Sequence, residues 1–115
     1  MTRPLLLSIM TLFLVPAISN ASDIPLKKEM PFIEARKALL LHHWKPQKTK
    51  RQTEHFAVDK MLLKKNIVEV DICTVDSFCI FNYKKNNECL KVVAHGENLN
   101  DLIITNWDFS CPDGQ

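Results

Sequence analysis

Glycine is nearly missing from this chain: Gly96 and Gly114 are the only two among 115 residues. A phosphate-cradling loop or a dinucleotide-binding turn needs several glycines close together, so neither can be written from this sequence. Serine is sparse as well. Beyond residue 21 it occurs at Ser22, Ser77 and Ser110 only, and none stands in a Gly-x-Ser-x-Gly elbow, which leaves a hydrolase triad without local support. No charge sign dominates: 15 basic and 13 acidic side chains give a net +2. That balance argues against a protein built to grip nucleic-acid backbone. The longest apolar run, Leu5–Val15, is about half the ~20 residues of a membrane-spanning helix.

That run has its own meaning. Arg3 supplies a basic start, Pro16 breaks the apolar middle, and Ser19-Asn20-Ala21 offers small residues before Ser22. These are the three parts of a secretory signal peptide, with cleavage expected after Ala21. Residues 1–21 are therefore read as an address, and residues 22–115 as one small domain with no transmembrane segment. The expected location is the periplasm or the medium beyond it.

All four cysteines, Cys73, Cys79, Cys89 and Cys111, lie beyond the leader. An even number in a short exported chain reads as two disulfides. A structural zinc site prefers cysteine pairs separated by two to four residues, a spacing absent here. Cys73 and Cys79 flank a hairpin loop, and Cys89 falls near Cys111 if the last two strands pair. The expected bridges are Cys73–Cys79 and Cys89–Cys111, although four cysteines allow two other pairings.

The rest of the chain has the texture of two layers. Pro31, placed at the first helical position, opens an amphipathic helix over 31–43 in which Phe32, Ala35 and Leu39 recur at three- and four-residue steps. Thr53 and Glu54 can begin a second helix reaching Lys65, with Phe56, Met61, Leu62 and Leu63 as its buried stripe. Four β-rich segments follow at 67–73, 78–83, 89–95 and 102–107, with Lys84-Lys85-Asn86-Asn87 as turn material. In the first of these Val68, Val70 and Ile72 alternate with Glu69 and Asp71, which are read as its wet face. The expected fold is α+β: two short N-terminal helices packed on a four-stranded antiparallel sheet, stapled by disulfides.

The run Met30-Pro31-Phe32-Ile33-Glu34-Ala35-Arg36 through Leu39-Leu40 to His43-Trp44-Lys45-Pro46 resembles an element of small exported bacterial proteins. Those carry a helix reading Pro-aromatic-x-Glu-Ala-Arg, a leucine pair and then Gly-Trp-x-Pro. The similarity continues through Cys73, Cys79-Ile80-Phe81 and Trp107 to Cys111. This chain departs at His43, where glycine is usual, which implies a less sharp helix stop. It also lacks glycines in the cysteine hairpin. The resemblance implies the fold and the compartment and carries no activity.

Candidate site residues are few. Arg36 is either an anchor for an anion or partner, or half of a structural pair with Glu34, a sheet acid or the face of Trp44. Lys48, Lys50 and Arg51 belong to the strongly basic stretch 45–51, which reads as an exposed connection and could touch anionic lipid or glycan. Charge is split along the chain: residues 22–65 carry eleven basic and five acidic side chains, residues 66–115 three and eight. The histidines, His42, His43, His55 and His95, have no metal-ligand spacing; adjacent His42 and His43 diverge by about 100° on a helix. No catalytic residue, metal or cofactor is expected.

The resulting expectation is a non-enzymatic exported binding module whose partner is another envelope or exported protein. One alternative is a periplasmic inhibitor or immunity-type protein that blocks a lytic or toxic enzyme. A second is a small hydrolase in which His95 works with an acid.

Overall fold

The computed structural model describes residues 24–49 and 57–112. The expected leader, the proposed Thr53 cap, Glu54, Phe56, His55, Lys50 and Arg51 lie outside these residues. What is described is α+β and disulfide-stapled: α1 (Phe32–Leu41), β1 (Lys45–Pro46), α2 (Ala57–Lys64), β2 (Val70–Cys73), β3 (Phe78–Lys85), β4 (Glu88–His95) and β5 (Ile103–Asp108). A 3-10 turn over Leu99–Asp101 leads into β5.

Helix α1 forms where the periodicity places it, and it buries Phe32, Ala35 and Leu39. Pro31 is one position further out than expected. It is the extended N-cap (ψ 138°), because it bridges to Ile103 of β5 and cannot also be helical. Its carbonyl still accepts the Ala35 N–H at 3.0 Å, so the first helical bond is made. The far end stops sharply despite the missing glycine. His43 takes the left-handed conformation (φ 70°), Trp44 N–H reaches Leu39 O at 3.0 Å, and His43 N–H reaches Leu40 O at 3.1 Å. That double bond pattern satisfies the terminal carbonyls in the manner usually assigned to glycine.

Helix α2 ends the same way, with Asn66 at φ 64° and the Ile67 N–H on Leu62 O at 3.0 Å. Glu29, Ser77 and Asn86 also have positive φ. A chain with two glycines therefore uses other residues at its left-handed corners, each with a steric penalty that asparagine bears best.

The strands are all antiparallel, in the order β1-β3-β4-β5, and β2 also pairs with β3. Five strands form where four were expected. The extra one, β1, lies in the stretch expected to be an exposed connection, with Lys45 opposite Lys84 and Pro46 opposite Tyr83. It occupies one part of the edge of β3 and β2 occupies another, where Cys73 lies opposite Cys79. The third and fourth expected strands keep their places. The hairpin between the second and third is tighter than expected: Lys84 and Lys85 belong to β3, and only Asn86 and Asn87 turn.

The core lies between sheet and helices. Phe81, Tyr83, Leu90, Val92, Ala94 and Ile104 are buried from the sheet, with Phe32, Ala35 and Leu39 from α1 and Val58 and Leu62 from α2. Phe32 stacks on Phe81 with ring centres 4.1 Å apart. Both expected disulfides are present, Cys73–Cys79 and Cys89–Cys111.

Glu69 and Asp71 overturn their reading as a wet face. Glu69 is fully buried and Asp71 is 5% exposed, whereas Val68 is 38% exposed. The reason is local: β2 begins only at Val70, Glu69 lies in the turn before it, and the pairing with β3 is irregular between Val70 and Ile72. A simple period of two does not survive such an irregularity.

Candidate functional site

Arg36 faces the interior side of α1 and meets Glu69. Its Nε donates to Glu69 Oε2 at 2.6 Å and its Nη2 to Oε1 at 3.3 Å, while the Tyr83 hydroxyl donates to Oε2 at 2.6 Å. Helix, turn and central strand are thus tied through one carboxylate. The hydrogen bond it donates to Glu69 holds the Arg36 guanidinium pKa above its ordinary value, against the opposing effect of burial. Burial pushes the Tyr83 hydroxyl well above its ordinary 10.0, and the neighbouring Glu69 charge adds to it. Arg36 Nε, Arg36 Nη2 and the Tyr83 hydroxyl all converge on one buried carboxylate, so this cluster is a fastening within the fold. Of the alternatives for Arg36, the sheet acid is the partner.

A second polar set lies nearby in sequence. Asn82 donates to Asp71 Oδ2 at 3.3 Å, Thr49 to Asp71 Oδ1 at 3.3 Å, and the Cys73 N–H to Asp59 Oδ2 at 3.4 Å. These buried acids hold β2, α2 and the segment after β1 together, and they too are answered by donors.

The other concentration of polar groups faces outward. β1 and the β3–β4 hairpin enclose an open recess of about 870 Å³ lined by Lys45, Pro46, Gln47 and Lys48 on one side and by Lys84, Lys85 and Asn86 on the other, with His43 at its rim. Lys45 and Lys84 are direct partners in register. Like charges placed so are mutually unfavourable. Among the described residues the ion pair is Arg36–Glu69, so none of the four lysines is neutralised by one. Lys85 Nζ lies 5.9 Å from the Trp44 ring centre, a cation–π contact, and Trp44 also packs on Phe109 at 6.3 Å.

Of the sequence-derived candidates, the structure brings Lys48 to the recess, buries Trp44 beneath Lys85, and sends Arg36 into the fold. Lys45, Lys84 and Lys85 complete the recess and were not singled out. Lys45 was visible as part of the basic stretch, but nothing local in Lys84-Lys85 announces which strand will lie beside it.

His95 sits at the end of β4, where a ring nitrogen meets the Asp76 carbonyl at 2.9 Å and the ring lies against Phe78. Its hydrogen-bond partner is main chain, not the carboxylate that a hydrolase would need. His42 likewise meets a main-chain carbonyl, that of Ala38, at 2.8 Å. Among the described residues no group of three or more His, Cys, Asp or Glu side chains could hold a metal ion, and no helix is long and apolar enough to cross a membrane. The two disulfides point to an oxidising compartment, extracellular or periplasmic. No protein-family model, curated protein or solved structure matches the chain.

Proposed function

We propose that this chain is a small, exported, non-enzymatic binding module that uses the basic recess between β1 and the β3–β4 hairpin to hold an anionic component of the cell envelope or another exported protein with an acidic face. The carrying observation is the recess itself: four lysines around one concavity, none in an ion pair among the described residues, two of them directly opposed. A fold that places like charges opposite each other accepts a small loss of stability, and an external anion would recover it. Export rests on the leader-like residues 1–21, on the two disulfides and on the resemblance to small exported bacterial proteins; the periplasm is the compartment this favours.

The test is capture from an envelope fraction with tagged residues 22–115 and with Lys45→Glu/Lys84→Glu. The wild-type chain is expected to retain a defined component at about 0.1 M salt and to release it at about 1 M, where charge is screened within ~3 Å. The charge-reversed chain should not retain it. Equal retention by both chains would refute the recess as the binding surface.

One observation favours the inhibitor reading instead. Val75 is 99% exposed at the tip of the hairpin that Cys73–Cys79 closes. The tip is braced by Thr74 N–H on Phe78 O at 2.8 Å and Ser77 N–H on Thr74 O at 2.9 Å. A braced loop with an apolar tip is preorganised to enter a cleft. Under that reading Val75→Asp abolishes inhibition of an exported lytic enzyme, while the recess variant leaves it intact.

A further inference from the structure

We infer that the recess is half of a membrane-docking surface whose ligand is the phosphate headgroup layer of an anionic phospholipid bilayer, and that the exposed end of α1 is the other half. The inference rests on the recess being an anion-binding surface and names what fills it.

Three observations carry it. First, among the described residues none of the four lysines is in an ion pair, and the only orienting partner is the Trp44 ring beneath Lys85. Lysine is a mobile point charge, suited to a layer of phosphates at variable positions, whereas one small anion held in a fixed place calls for converging, oriented donors. Second, the recess is open and, among the described residues, no carboxylate lines it; the nearest in register is Glu88, opposite Lys85. Third, large apolar side chains are exposed close by in the chain. Leu41, two residues before the rim residue His43, is 77% exposed at the last position of α1, and Leu40 is 39% exposed. Phe109, also 39% exposed, lies against Trp44, whose ring carries Lys85.

Apolar side chains beside lysines form the pattern of a surface that sits in the interface of a bilayer. The leucines enter the acyl boundary while the lysine stems lie along it with their ammonium groups among the phosphates. An acidic protein face would satisfy the lysines equally well but would leave Leu41 without a role. That difference decides the experiment.

Residues 22–115 are sedimented with vesicles of equal parts phosphatidylglycerol and phosphatidylcholine, with vesicles of phosphatidylcholine alone, and in parallel bound to immobilised poly-L-glutamate. The expected result is binding to the anionic vesicles and none to the neutral ones. Each lysine near the surface contributes a factor of about five, so Lys45→Glu/Lys84→Glu weakens vesicle binding at least about 25-fold. Leu41→Ala weakens it about tenfold, the effect of withdrawing most of a leucine side chain from an apolar layer, and leaves binding to poly-L-glutamate unchanged. Thermal melts confirm that each variant is folded; all three substituted side chains are exposed.

If the chain binds poly-L-glutamate but not the anionic vesicles, or if Leu41→Ala binds vesicles like wild type, the lipid assignment is overturned and an acidic protein face takes its place. If it binds neither polyanion nor vesicle, the recess reading falls with it.

Discussion

Glu69→Gln keeps the shape of the side chain and removes the charge that Arg36 and Tyr83 both address. In the wild type one carboxylate accepts from Arg36 Nε at 2.6 Å, from Arg36 Nη2 at 3.3 Å and from the Tyr83 hydroxyl at 2.6 Å. Glutamine has one acceptor oxygen, so in either orientation its amide nitrogen faces a guanidinium N–H, donor against donor: Nη2 if it replaces Oε1, Nε if it replaces Oε2. Glu69 is fully buried, and water cannot fill the gap. Breaking a buried pair by removing one partner costs about 3–5 kcal/mol. The Arg36 side chain is 26% exposed and regains some hydration, which places the loss near ~3 kcal/mol. At roughly 4–8 °C per kcal/mol for a domain of this size, Tm should fall by about 12–24 °C. Urea melts followed by far-ultraviolet circular dichroism should show a lower midpoint with an unchanged slope. Arg36→Met alone should lose a comparable amount, because it strands the carboxylate. Arg36→Met with Glu69→Leu should lose clearly less than the two single losses together, since no uncompensated charge remains. A Glu69→Gln loss below about 1 kcal/mol, or strictly additive Arg36 and Glu69 effects, would refute the claim that this carboxylate fastens helix to sheet.

Gly96→Ala should destabilise the chain by about 2 kcal/mol or more, because the added Cβ would stand 2.6 Å from Asp101 O and 2.8 Å from Leu102 Cα, both main chain; a melt within error of wild type would contradict this. His43→Gly should raise stability by about 1 kcal/mol by relieving a left-handed residue at φ 70°, and a lower Tm would count against the strain argument. Tyr83 retains its proton in the folded chain beyond its ordinary 10.0, so its contribution is fully present below pH 10 and stability falls by about 1.4 kcal/mol per pH unit above it. Alkaline melts of Tyr83→Phe should lack that increment of slope. Lys45→Glu, which turns a like-charged register pair into an opposite-charged one, should stabilise the free chain by about 0.2–1 kcal/mol while weakening binding to anionic vesicles.

The features legible in the sequence are those set by local pattern. The stripe Phe32, Ala35, Leu39 is a helical period whatever lies beneath it, and it is buried as read. The cysteine pairs follow from where the hairpins turn, and both bridges form. What resisted reading depends on contacts across the chain. A two-residue strand such as Lys45–Pro46 has no periodicity, and it exists because the edge of β3 is open beside Tyr83 and Lys84. Glu69 looks like a surface acid in its own neighbourhood; only the positions of Arg36 and Tyr83, distant in sequence, make burial affordable. The candidate site was therefore half visible: the basic run 45–51 is local, whereas its counterpart Lys84-Lys85 reads as a turn until the register is known.

The contrast between the two charged regions explains why the outer one is assigned to binding. Adjustment for stability alone works on both in the same way, since a buried acid without a partner and an opposed pair of lysines are each unfavourable. In the interior the chain has answered its buried acids: Glu69 has a guanidinium and a hydroxyl within hydrogen-bonding distance, and Asp71 has donors from Asn82 and Thr49. On the surface the remedy is simpler, one acidic residue at position 45 or 84, and exposed positions tolerate such a change freely. Yet lysine stands at both, and Lys48 and Lys85 line the same recess. A fold that resolves its difficult electrostatic problem and leaves the easy one standing points to a reason for those lysines outside its own stability, and it is on this ground that we propose an anionic surface as their partner.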